Sequence, residues 1–171
     1  MPAGRLGGRH QKCLTRGSVI LRTASGLALP FCRRLAPCDP VQPLSLVYVY
    51  GEEFRAGLGR IQSLTAKPIG MNVILETSSK LYLQRMREWV EASLEMGVRF
   101  FVTSLGNPRW VCDLVHASGG KVYHDVTELR FARKAVDGGV DGLIGVNDRA
   151  GGHAGSRSAA RLFDEFLKVF E

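Results

Sequence analysis

The residues best suited to chemistry lie in Gly139–Gly155, which reads GVDGLIGVNDRAGGHAG. The apolar run Leu143–Val146, bounded by Gly142 and Asn147, has the pattern of a buried parallel strand. After it come Asn147, Asp148 and Arg149, then the doublet Gly151-Gly152, then His153, with a helical pattern from Ser158. α/β proteins place ligands at such junctions, at the carboxyl ends of strands. A glycine doublet lets a flat or charged group reach backbone N–H groups. An adjacent imidazole can exchange a proton near neutral pH. A tight turn followed by a surface histidine accounts for the same residues, and the pattern leaves both readings open.

The elements that must position this loop form a repeating unit. Glu52–Thr65 is expected as a helix burying Phe54, Leu58, Ile61 and Leu64. Pro68 stops it, and Ile69–Leu75 follows as a strand. Ser79–Met96 is a longer helix with a Leu83, Met86, Val90, Leu94 stripe, ended by Gly97. Arg99–Ser104 is the next strand, and Asn107-Pro108 supplies an N-cap and first turn for the helix that follows. Lys121–Asp125 is a strand and Thr127–Asp137 a helix. Leu143–Val146 is the last strand, and Ser158–Phe170 is a helix burying Leu162, Phe166 and Val169.

Alternating βα units make a parallel sheet with helices outside it. A barrel arc or an open doubly wound sheet satisfies the connection rules. No GxGxxG follows the first strand, which favours the arc. The expected fold class is α/β, a (β/α)8 TIM-barrel type in partial form, with about four βα units. A complete barrel takes about 250 residues, so residues 50–171 read as roughly half of one. In a parallel arrangement the strand ends bring Asn72, Thr103, Ser104, His124, Asp125 and Asn147 towards one rim. Each also has a plain structural reading as a strand-end or turn residue. No Ser/His/Asp order, carboxylate pair or phosphate loop is present.

Charge separates two segments. Residues 1–49 carry seven of the 23 Lys and Arg but one of the 16 acids, Asp39, along with five of the seven prolines. The rest is almost neutral, which argues against a nucleic-acid-binding face. No apolar run approaches the roughly 18 residues that span a membrane. Residues 1–49 are expected as a basic extension, disordered or non-native, or else as a mitochondrial-type leader. Without that leader function the expected compartment is the cytoplasm. Cys13, Cys32 and Cys38 lie in this segment and show no metal spacing, so no metal site is expected. Cys112 sits among Val111, Leu114 and Val115 as a small buried apolar residue.

From Gly51 to Phe170 the sequence resembles the nitronate monooxygenase family, formerly the 2-nitropropane dioxygenases. The resemblance rests on KPIGMN at Lys67–Asn72, SLGNP at Ser104–Pro108, GGKVYHDV at Gly119–Val126 and DGLIGVNDRAGGHAG at Asp141–Gly155. The last motif is specific, and the others follow in the family's order and spacing. The resemblance implies a flavin-dependent barrel enzyme that uses FMN and O2 to oxidise alkyl nitronates or nitroalkanes to carbonyl compounds and nitrite. It implies that His153 is the active-site base, and that Asn72, Gly151, Gly152 and Asn147 border the FMN. It is compatible with a homo-oligomer, and it calls for no nucleic-acid or membrane partner. Val146 stands where many members carry Gln, the family's first strand has no match in residues 1–49, and its later phosphate-binding strands have no counterpart. The flavin-dependent enoyl-acyl carrier protein reductases share a similar GGH loop and are a second reading. A non-catalytic remnant or interaction module is a third.

Overall fold

The computed structural model describes residues 18–22, 51–77, 79–151 and 154–170. Its first element is strand β1, Ser18–Arg22, within the segment expected to lack regular structure. The repeating unit follows as α1 (Gly51–Ser63), β2 (Gly70–Ile74), α2 (Lys80–Glu95), β3 (Phe100–Ser104) and α3 (Arg109–Ala117). It continues with β4 (Lys121–Val126), α4 (Leu129–Asp137), β5 (Gly142–Val146) and α5 (Ala159–Phe170). The four expected strands and five expected helices are all present, with ends shifted by one or two residues.

Local chemistry sets several of those ends. Ser79 caps α2, its hydroxyl accepting the Tyr82 N–H. At the other end Gly97, at φ +87°, lets the chain reverse while the Met96, Gly97 and Val98 N–H groups bond back to Ala92, Leu94 and Ser93. Asn107 performs the capping expected of it, accepting the Arg109 N–H at 3.0 Å, although Pro108 holds the cap position. α1 ends at Ser63, so Leu64 is 66% exposed instead of extending the buried stripe. Val169 is likewise exposed on α5, while Leu162 and Phe166 are buried.

Among the described residues the sheet is five-stranded and parallel, in the order β1-β5-β4-β3-β2. β2 to β5 lie side by side in chain order, as in the wall of a barrel; a doubly wound sheet would reverse direction. The fold is a partial (β/α)8-type barrel. β1 pairs along the outer edge of β5, Ser18 opposite Gly142 through Arg22 opposite Val146. That edge is where winding in sequence order would set the next strand.

Cross-strand partners share a face, so the register divides the sheet. Val73, Thr103, His124 and Leu143 form one row on the helix side, continued by Leu75, Phe101, Val122 and Val126. These meet Phe54, Met86, Trp89, Val90, Val111, Cys112 and Val115 in one core cluster, and Ala132, Ala135, Leu162 and Phe166 in a second. Phe54 stacks on Trp89 at 6.1 Å and seats α1 on α2. The opposite face carries Asn72, Ile74, Val102, Ser104, Tyr123, Asp125, Ile144 and Val146, the residues that line the interior of a closed barrel.

Candidate functional site

Three polar side chains stand on this inner face, Asn72 at the middle of its strand and Ser104 and Asp125 near the carboxyl-terminal ends of theirs. Asn72 is exposed on β2, while Ser104 and Asp125 are half-buried register partners on β3 and β4. Ile74 and Ile144 complete the row through Ser104 and Asp125. Val146 lies on the same face by strand alternation. The face is apolar with a few polar groups at one end, a composition suited to a flat organic ligand.

The loop after β5 leaves from the same end. Asn147 is 1% exposed and organises the loop: its Oδ1 accepts the Arg149 N–H at 2.8 Å. Its carbonyl accepts from Ala150 at 3.2 Å and Gly155 at 3.0 Å, and the Asp148 N–H reaches the Arg157 carbonyl at 2.9 Å. The two ends of the loop are thereby held together. Glycine is required at 155, where a Cβ would fall 2.3 Å from the Val146 carbonyl oxygen. Gly151 is exposed, and among the described residues, its chain neighbours aside, no atom lies within 4 Å of the place a Cβ would take. Gly152 and His153 lie outside the described residues.

The described residues fit the ring portion of a flavin. Asn72 offers an amide, the inner face offers apolar surface, and no described residue beyond its chain neighbours crowds Gly151.

Two residues expected at the rim face the other way. His124 and Thr103 point into the helix-side core, and His124 is 4% exposed. Thr103 Oγ1 lies 2.7 Å from His124 Nδ1 and also donates to the Tyr123 carbonyl at 3.2 Å. With the hydroxyl proton on that carbonyl, the imidazole must donate from Nδ1. Burial, helped by Lys134, lowers the His124 pKa to about 4, so the ring is neutral. It is a core histidine that strand alternation separates from Asp125, its neighbour in sequence.

His116 and Cys112 also have structural positions. His116 Nε2 meets Asp141 Oδ2 at 2.8 Å, while Lys121 Nζ meets Oδ1 at 2.7 Å and the Val122 N–H donates to the same carboxylate. Although burial opposes it, these partners hold Asp141 below the usual carboxylate range. This cluster joins β4 to the start of β5 at the amino-terminal end of the strands, where barrels place stability. A groove of about 440 Å³ lined by Gln62, Lys67, Phe100 and Lys121 opens at that same end. Cys112 is 1% exposed, and burial pushes its thiol up to about 11, so it is an inert core residue. Among the described residues no group of three His, Cys, Asp or Glu could hold a metal, and no helix is long and apolar enough to cross a membrane.

No family model and no curated protein matches this sequence. Solved structures do. FabK from Thermotoga maritima aligns over 96% of this chain and 51% of its own, with 20% identity and a TM-score of 0.60. A point mutant of the same protein aligns over 68% and 38%, with 25% identity and a TM-score of 0.58. A nitroalkane oxidase from Streptomyces ansochromogenes aligns over 69% and 46%, with 18% identity and a TM-score of 0.57. The chain therefore spans between 38% and 51% of the length of these structures. Its architecture, four βα units wound in order plus one added strand, is similar to part of the barrel in each.

Proposed function

We propose that this chain carries part of the active site of a flavin-dependent oxidoreductase, with FMN as cofactor and an alkyl nitronate or nitroalkane plus O2 as substrates. The observation that carries the reading is the convergence at one end of the sheet. Asn72, Ser104 and Asp125 share the inner face, and the glycine-bearing loop after β5, closed at its base, leaves from the carboxyl-terminal end of the same sheet. A nitroalkane oxidase is among the chain's neighbours in fold, and the motifs of its sequence resemble those of a flavin-dependent family. When bound, FMN would supply electron transfer between nitronate and O2. The chain's own part is to seat the ring against Asn72 and Gly151, and to hold His153 where it takes the proton from the nitroalkane α-carbon or steadies the anionic nitronate.

The test is direct. The purified chain, mixed with FMN, is desalted and its visible flavin absorbance read; nitrite release from an ethyl nitronate solution is then assayed. Retained flavin with nitrite release supports the reading, and flavin lost on desalting removes it. Replacing His153 with Ala is expected to abolish nitrite release and leave flavin retention largely intact.

The likeness to FabK favours a second reading, a flavin-dependent enoyl-acyl carrier protein reductase. Oxidation of a reduced nicotinamide cofactor by an enoyl thioester, with no nitrite from nitronates, would select it.

A further inference from the structure

Leu105, directly after β3, has φ +61° and is the one non-glycine residue at positive φ among the described residues. A leucine is sterically disfavoured in this left-handed conformation, where its Cβ crowds the following carbonyl oxygen. The turn leaves it little choice. Gly106 follows at φ +48°, so close to β2 that a Cβ there would fall 2.2 Å from the Leu75 carbonyl oxygen. The Leu75 N–H in turn donates to the Ser104 carbonyl at 2.8 Å, which fastens the turn to the end of β2.

Burial does not offset this cost, because Leu105 is 60% exposed. A second apolar residue is exposed nearby in the fold: Ile74, the register partner of Ser104 on the inner face, at 41%. Two large aliphatic side chains thus flank Ser104 at the carboxyl-terminal rim, one across the strand pair and one along the chain. Strained, solvated side chains held in place by their surroundings concentrate at ligand sites.

We propose that Ile74 and Leu105 form an apolar shoulder that receives the alkyl chain of the substrate and sets its preferred length. The inference rests on the proposed function in taking this rim as the substrate end. A straight aliphatic chain is the occupant that fits, since the two side chains present only hydrocarbon. Their place beside Ser104 makes the shoulder continuous with the polar end of the site.

The experiment uses the full chain with methyl-labelled Ile and Leu, titrated with 1-nitroalkanes from nitroethane to 1-nitrohexane and followed by NMR. Affinity is expected to rise about three- to four-fold per added methylene, with shifts at the Leu105 and Ile74 methyls. Leu105→Asn keeps a residue that tolerates the left-handed conformation and removes the hydrocarbon. It should flatten the chain-length dependence to under about two-fold per methylene while thermal melting is maintained. Ile74→Thr should flatten it in the same direction. Flat affinities in the unmodified chain, shifts confined to other methyls, or an unchanged slope in folded Leu105→Asn would each overturn the inference. Nitrite and flavin assays separate it from the reading beneath it. Chain-length-dependent binding without flavin or nitrite removes the nitronate reading and leaves the shoulder; nitrite release with flat chain-length dependence does the reverse.

Discussion

Thr103 Oγ1 and His124 Nδ1 meet at 2.7 Å across β3 and β4, beneath the helices and on the far side of the sheet from Asp125. The pair ties two adjacent strands by their side chains, and it stabilises the neutral ring in a place where a charge would be costly.

The first prediction is pH-dependent stability. His124 titrates near 4 in the folded protein, against about 6.5 when unfolded. Its folded value is depressed, so its contribution is complete above about 6.5 and is lost as pH falls towards 4. Across that window the loss approaches roughly 3 kcal/mol. Urea denaturation at pH 7 and pH 4.5 should show the fall, and the His124 ring protons should titrate near 4 by NMR. A midpoint near 6.5 would contradict the buried placement.

Thr103→Val preserves shape and leaves the imidazole N–H facing hydrocarbon. An unsatisfied buried donor costs about 1–3 kcal/mol, and denaturant midpoints should record it. The variant should retain whatever flavin the parent retains, because Thr103 faces away from the inner surface.

At the opposite end of the strands, Asp141→Ala removes the acceptor for the Val122 N–H together with the partners of His116 and Lys121. A loss of about 1–2 kcal/mol is expected. The depressed pKa of Asp141 means that this contribution is present above the unfolded carboxylate range and disappears as pH falls below it. An activity change in Asp141→Ala larger than the stability change accounts for would place chemistry at the wrong rim.

Gly151 and Gly155 should respond differently to alanine. At 155 the added Cβ meets the Val146 carbonyl oxygen, an unyielding backbone atom, and about 2 kcal/mol of destabilisation is expected. At 151 no atom of the described residues beyond its chain neighbours is within 4 Å, so stability should change by less than about 0.5 kcal/mol. If a ring lies against that residue, Gly151→Ala lowers flavin retention with no change in melting. Equal flavin retention in the two proteins would move the ring elsewhere.

The order of elements was legible because β2 to β5 each begin within three residues of a Gly or Pro (Pro68, Gly97, Gly120, Gly139), and each helix carries a three- or four-residue stripe. Which strand-end residues converge was only half legible. Thr103 and Ser104, or His124 and Asp125, look equivalent in sequence, yet neighbours on a strand point to opposite faces. The alternation of Phe101 and Thr103 with Val102 and Ser104 was available to sort them, since the phenylalanine row must meet the helices. Trp89 was missed as a core residue because it lies one position off the Leu83, Met86, Val90, Leu94 stripe; it packs against Phe54, which arrives from α1. Ser18–Arg22 holds a strand-like SVILR within a basic, proline-rich segment, and its pairing with β5 is a long-range choice that composition does not announce. Leu105 gave no signal, because an ordinary leucine carries no mark of the backbone angle its neighbours impose.

That pairing also bears on how the molecule reaches its shape. β3 and β4 meet across an intervening stretch of about 20 residues, whereas Ser18 must find Gly142 across on the order of 120. Loop-closure entropy grows with that separation, so the consecutive units should condense first and the amino-terminal strand should add late. In pulse-labelling hydrogen exchange, amides of β3 and β4 would then gain protection ahead of those of β1.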